Sequence, residues 1–327
     1  MKLSILDQVP LSEGASYKEA LNQTIQLAKD AERLGYKRYW IAEHHDLPGL
    51  TCPAPDVLLS RLGAETNTIR IGAGAVLLPH YRPFNIAERY NLLASLYPNR
   101  IDLGIGRAPG GSAEATLALS ERYLEKVRQY PELIDDLQRF LTNGFPQDHT
   151  FSRVRPRPVP AIQPQMWLLG TSEKSAKLAV EKRLPYSFAH FMSDSNGPQI
   201  VQSYKKAWRE AYPNEKPYVV LAVSAICAET EQEAEELALS QALWQVSQDS
   251  PVPSTEKARQ HQFTVQQKEM VKRSREKQII GNPEKVVKEL LSLKEIYNAD
   301  EIMILTITHS YEARKRSYEL IANTLDE

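Results

Sequence analysis

The chain is short of cysteine, of long apolar runs and of any excess of charge, and each shortage removes a class of protein. Only Cys52 and Cys227 occur in 327 residues. They lie far apart and match no disulfide-scaffold, zinc or redox spacing. No apolar run reaches the roughly 20 residues that a membrane-spanning helix needs. The N-terminus has neither the extended apolar region nor the small-residue cleavage site of a signal peptide, so a cytoplasmic location is expected. Lys and Arg number 40 against 41 Asp and Glu, with no basic block, so nucleic-acid binding is not expected.

What the chain does have is alternation of short apolar runs with amphipathic stretches. Strands are expected at 2–6, 38–42, 69–75, 100–105, 166–169, 186–189, 218–227 and 301–307. Helical spacing follows each of them. Ser16 opens the first helix with Glu19 three residues on, and Gly35 stands where a glycine ends one. The stretch 113–141 reads as mostly helical, with Pro131 as a break. Eight strands each followed by a helix predict a parallel sheet closed into a (β/α)8 TIM barrel, an α/β fold filling residues 1–327 as one domain. Two insertions interrupt the repeat. The one at about 143–165 is proline-rich and reads as irregular. The one at about 248–280 is polar and basic, and its core, 248–278, is expected to form a mobile lid over the mouth of the barrel.

In such a barrel the site lies at the C-terminal ends of the strands. Five of the seven histidines, His44, His45, His80, His190 and His309, fall at or just after an expected strand end. Their side chains suit proton transfer and hydrogen bonding. Neighbours in extended chain point to opposite sides, so His44 and His45 are not expected to face one ligand. His80, His190 and His309 are candidates for the substrate side. Gly74 and Ala75 end the third strand, where small residues let a flat ligand approach the backbone; tight barrel packing would favour them equally. Arg107 follows the fourth strand among glycines, a setting suited to an anion such as phosphate, or to a plain ion pair on a loop. Gly170, Thr171 and Ser172 end the fifth strand and open a helix, whose free N–H groups also suit an anion; a simple Ser cap is the alternative. An Arg and a helix start on adjacent strands point to one shared phosphate.

These segments carry a resemblance. LSILDQ at 3–8, WIAEHH at 40–45, IGAGAVLLP at 71–79 with His80 and Pro83, RIDLGIGRAPGG at 100–111 and WLLGTS at 167–172 run in order over nearly the whole chain. With them the chain resembles the bacterial luciferase-like monooxygenases, and within these the MsnO8-like flavin-dependent oxidoreductases. The resemblance implies a TIM barrel that binds reduced FMN in its mouth. It implies oxidation of a small organic substrate by O2 through a C4a-(hydro)peroxyflavin, with reduced flavin supplied by a separate NAD(P)H-dependent flavin reductase. By matching motif, His44 would be the catalytic histidine and Glu43 would bond the isoalloxazine. Gly74 and Ala75 would form a non-prolyl cis peptide under the ring, and Arg107, Thr171 and Ser172 would hold the phosphate. Gly106 stands where luciferase has a cysteine before the Arg, so light emission and a long-chain aldehyde substrate are not implied.

Other readings stay open at this point. The same fold carries deazaflavin (F420)-dependent hydride transfer. A metal-dependent barrel hydrolase would need converging His and carboxylates, and the first strand ends in Leu6-Asp7-Gln8 without the usual histidine pair. A flavin-binding protein without turnover is a further option. The sequence leaves the substrate unnamed and a homodimer open.

Overall fold

The computed structural model describes residues 1–247 and 250–326. Nine parallel strands form one sheet: β1 (Leu3–Asp7), β2 (Arg38–Ile41), β3 (Arg70–Leu77), β4 (Ile101–Gly106), β5 (Gln165–Gly170), β6 (Tyr186–Ala189), β7 (Val219–Cys227), β8 (Gln278–Gly281) and β9 (Glu301–Leu305). Eight of them close a ring in the order β1–β2–β3–β4–β5–β6–β7–β9, with β9 paired back to β1. This is a (β/α)8 TIM barrel. β8 stands outside the ring, paired to the far end of β7 through Ser224–Gln278 and Cys227–Gly281. All eight ring strands match the expected ones within a few residues. The ninth went unread because four residues, QIIG, following a polar segment carry too little pattern to separate from a helix start.

Alternation along each strand sorts side chains into two cores. Ile5, Tyr39, Ile41, Ile71 and Leu103 face outward and pack against the surrounding helices. Leu6, Trp40, Trp167, Ala222 and Met303 face inward and form a second cluster inside the ring. The first helix (Tyr17–Arg33) starts where expected, with the Ser16 hydroxyl accepting from the Glu19 N–H at 3.2 Å. Gly35 follows it with a positive φ of 77°, the conformation that favours glycine at a helix end.

The stretch after β4 is mostly helical as expected, in three pieces: Ala113–Leu119, Tyr123–Arg128 and Tyr130–Thr142. The expected break at Pro131 falls at Gln129, and Pro131 sits in the first turn of the last helix, where no N–H partner is lost. Residues 143–164 hold no helix or strand, as their prolines imply. The second insertion differs from expectation. Gln248 and Asp249 lie outside the described residues. Beyond them come helices Thr255–Gln260 and Val265–Arg275, then β8. No described residue of 250–278 lines the cavity at the barrel mouth. The start of the segment is pinned instead: the Val252 N–H donates to the Leu11 carbonyl at 2.8 Å, and Val252 is fully buried. Helix Val265–Arg275 buries none of its residues, and the described part of the segment does not cover the cavity, where a lid was expected. Among the described residues no helix is long and apolar enough to cross a membrane.

Candidate active site

A cavity of about 450 Å³ opens at the C-terminal ends of the ring strands. The alternation of β2 runs on past its last paired residue and decides what faces it. Trp40, Ala42 and His44 line the cavity. Glu43 and His45 share the opposite side, where the Glu43 carboxylate accepts from His45 Nε2 at 2.8 Å. The same carboxylate accepts from the Tyr81 hydroxyl at 2.8 Å and the Leu77 N–H at 3.1 Å. Glu43 borders the cavity, but its carboxylate is committed to these three donors. The geometry therefore makes it a brace between the ends of β2 and β3, with Oε1 accepting two of these bonds and Oε2 one.

His44 Nδ1 is closed off from solvent without a hydrogen-bond partner. Burial, with a smaller contribution from neighbouring His45, pushes its pKa down from 6.5 to about 4. It is thus a neutral imidazole at neutral pH. Beside it, the Gly74–Ala75 peptide is cis and forms part of the wall. A Cβ on Gly74 would lie only 3.0 Å from Leu6 Cδ1 and 3.1 Å from the Trp40 ring, so the bare backbone is what fits.

The β4–β5 side of the cavity is cationic. Arg107 is exposed, lines the cavity and has no carboxylate within 4.0 Å among the described residues. The plain ion-pair reading of Arg107 is therefore not met. At the end of the neighbouring strand β5, Gly170, Thr171 and Ser172 lead into the helix Glu173–Glu181. Ser172 and Ser175 form a reciprocal cap, and Ser175 Oγ also meets the Tyr186 hydroxyl at 2.8 Å. The Ser172 hydroxyl is thus a cap, and what the helix start offers an anion is its next N–H groups, at Glu173 and Lys174. Lys174 also lines the cavity and makes no ion pair among the described residues. Tyr130, from the distant helix Tyr130–Thr142, adds a buried hydroxyl without a partner to the same lining. Sequence reasoning missed both. Lys174 was legible as the second residue of a helix already singled out. Tyr130 carried no local signal.

The structure does not bring the other histidines together here. His80 Nε2 bonds the Pro109 carbonyl at 2.8 Å and its ring stacks on Tyr123. His190 Nδ1 meets the Tyr297 hydroxyl at 2.8 Å, and His309 Nε2 meets the Glu13 carbonyl at 3.1 Å. None of the three lines the cavity, so the substrate-side expectation is corrected for each. A place near a strand end does not fix facing. His190 opens the 3-10 turn His190–Met192, where strand alternation ends: Phe191 and Met192 line the cavity and His190 does not. Among the described residues no three His, Cys, Asp or Glu side chains converge as a metal site requires.

A TIM barrel whose mouth carries unpaired cations, a helix start and a neutral histidine in an apolar cavity is a class of fold suited to a flat, anionic cofactor. The chain belongs to the luciferase-like monooxygenase family, whose model matches residues 1–298. Among its relatives, the N-acetyl-S-alkylcysteine monooxygenase of Bacillus subtilis is 34% identical over 99% of this chain and 98% of its own. A protein of Escherichia coli described as a luciferase-like monooxygenase is 33% identical, over 99% and 97%. The solved structure of apo-MsnO8 superposes with a TM-score of 0.87 at 31% identity, covering 99% and 98%. More distant structures share the fold alone. One is the oxygenating component of 3,6-diketocamphane monooxygenase from Pseudomonas putida in complex with FMN (TM-score 0.72, 18% identity, covering 99% and 97%). Another is an F420-dependent secondary alcohol dehydrogenase (TM-score 0.74, 13% identity, covering 100% and 99%).

Proposed function

We propose that the protein is a flavin-dependent monooxygenase that takes up reduced FMN and oxidises a small organic substrate with O2. One observation carries the cofactor reading: among the described residues Arg107 stands without a carboxylate partner after β4, next to the helix start that follows the neighbouring strand β5, in a cavity with a backbone wall. The residues fit FMN. Arg107, Lys174 and the N–H groups of the helix Glu173–Glu181 would hold the phosphate. The Gly74–Ala75 backbone leaves room for a flat ring system. When bound, reduced flavin supplies the electrons for oxygen activation. The chain's own part is to bind, orient and keep water out. Trp40, Leu77, Leu168 and Leu169 give the wall its apolar character, and His44 offers an uncharged ring nitrogen for a hydrogen bond or a proton. The family membership supports the monooxygenase reading, and the FMN named for one neighbour of this fold supports the cofactor.

Arg107→Ala is expected to weaken FMN about tenfold to a hundredfold, the value of one charge-assisted contact. Riboflavin, which lacks the phosphate, should bind wild type and variant alike. Titration by flavin absorbance or fluorescence reads both. Equal losses for FMN and riboflavin would make Arg107 structural. The same titration with F420 separates the alternative of deazaflavin hydride transfer: a wild-type protein that prefers F420 to FMN belongs to that chemistry.

A separate flavin reductase would supply the reduced cofactor, since no nicotinamide-binding fingerprint stands at any strand–helix junction. Purified protein with FMN and NAD(P)H should consume little nicotinamide, and adding a flavin reductase should start substrate-dependent oxygen uptake. Rapid NAD(P)H oxidation by the protein alone would refute this arrangement.

A further inference from the structure

The cavity is chemically divided, and barrel order shows how. Among the described residues its unpaired cations are Arg107 and Lys174, and both come from the β4–β5 side. The strands β6, β7, β9 and β1 are consecutive in the ring and supply the other wall. There Leu6, Ala189, Phe191, Met192, Ala222 and Met303 line the space. Leu6, Ala222 and Met303 are buried, and Met192 stands at the rim, 62% exposed. The polar side chains on that wall are Gln8 and Ser187, both uncharged. Lys277, the cation beside the Met192 loop, is already paired with Asp194.

We infer that the substrate is an uncharged, largely apolar molecule carrying a neutral hydrogen-bonding group, and not a carboxylate. This rests on the flavin reading above, because there the phosphate takes up Arg107 and Lys174. A substrate carboxylate would then enter a wall of thioether, aromatic and aliphatic groups with no cation to replace its water. Such uncompensated desolvation disfavours the charged form strongly. Gln8 and Ser187 can donate to a carbonyl or ester oxygen, and the neutral His44 adds no fixed charge. The inference sets this chain apart in substrate from its N-acetyl-S-alkylcysteine relative, whose named substrate is an acid.

The test uses that acid as its probe. N-acetyl-S-hexylcysteine and its methyl ester share every apolar group and differ in charge. Calorimetric titration into FMN-loaded protein is expected to show the ester bound at least about tenfold more tightly than the acid. Met192→Arg places a cation at the exposed rim, where the fold tolerates it, and should narrow or reverse that preference without changing FMN affinity. FMN affinity is measured first on each sample. A protein that binds no FMN overturns the flavin reading and this inference with it. A protein that binds FMN but takes the acid as well as the ester, or takes neither, overturns this inference alone. An unchanged preference in Met192→Arg would show that charge at this wall does not select the substrate, and would overturn it too.

Discussion

Replacing Arg38 by Met is expected to destabilise the fold by about 3 kcal/mol, the lower part of the range for breaking a buried ion pair. Arg38 lies inside the barrel, beneath the cavity, with its side chain 3% exposed. Its Nη1 donates to Asp102 Oδ2 at 2.7 Å and its Nε to Glu301 Oε1 at 2.9 Å. Its guanidinium also covers the Trp167 ring at 4.5 Å. Burial opposes the charge, but Asp102 and Glu301 outweigh it, and the Arg38 pKa is raised. Met fills most of the volume, so the loss comes from two carboxylates left short of a cation. Each keeps some partners, which is why the low end applies. Asp102 retains Arg70 at 2.6 Å and the Trp40 N–H at 3.0 Å. Glu301 retains Ser4, the Tyr218 hydroxyl at 2.8 Å and Lys37 at 3.8 Å. Urea unfolding at neutral pH measures the loss, with an unchanged slope. Adding Glu301→Gln to the variant should recover part of it, because the second change removes the orphaned charge. A loss below about 1 kcal/mol would mean that water solvates the cluster and that its charges are only surface-like.

The ring was legible because each barrel strand, buried on both faces, left a short apolar run, and parallel pairing requires a helix between neighbours. The features of the site that were legible share one cause: they lie within a few residues of a strand end. His44, Gly74, Arg107 and Gly170 all line the cavity. Facing was the harder matter. Counting from buried Trp40 along β2 puts Ala42 and His44 on the inner side and Glu43 and His45 on the outer one, and that count held past the strand. The resemblance overrode the same count at Glu43, whose carboxylate was expected at the flavin ring. No count was available at His80 and His190, which lie in 3-10 turns, or at His309, which lies four residues beyond the end of β9, because strand alternation has ended at each. Tyr130 enters from a helix in the long excursion after β4, a contact of tertiary packing that one chain's local pattern does not encode. The polar 250–278 segment was misread for a related reason. Low apolar content suggested a lid, yet one buried residue, Val252, with its two backbone bonds to Leu11 and Glu13, fixes its entry against the β1 loop.

His44→Ala is expected to lower turnover in the reductase-coupled assay by about a hundredfold, within the usual range for loss of one proton-handling side chain. FMN affinity should change by no more than about threefold, since the phosphate contacts lie across the cavity. The argument rests on position and protonation together. His44 is the cavity-facing member of the pair, while His45 is held by Glu43 at 2.8 Å on the other side. His45→Ala should therefore cost about 1 kcal/mol of stability through the lost hydrogen bond and leave turnover within a few fold. The pH dependence gives a second readout. The His44 pKa falls from 6.5 to about 4, so folded protein keeps the imidazole neutral across the whole physiological range. Turnover should stay flat from neutral pH downward and fall only on approach to about pH 4, where the ring takes up a proton. Stability follows the same window. The unfolded chain binds a proton at His44 near pH 6.5 and the folded one only near 4, so this contribution is fully present above 6.5 and is lost as the pH falls through about 4. His44→Ala removes that dependence, and the variant should resist mild acid better than wild type even as it loses activity. A loss of turnover in His45→Ala equal to that in His44→Ala would move the reacting imidazole to the other histidine.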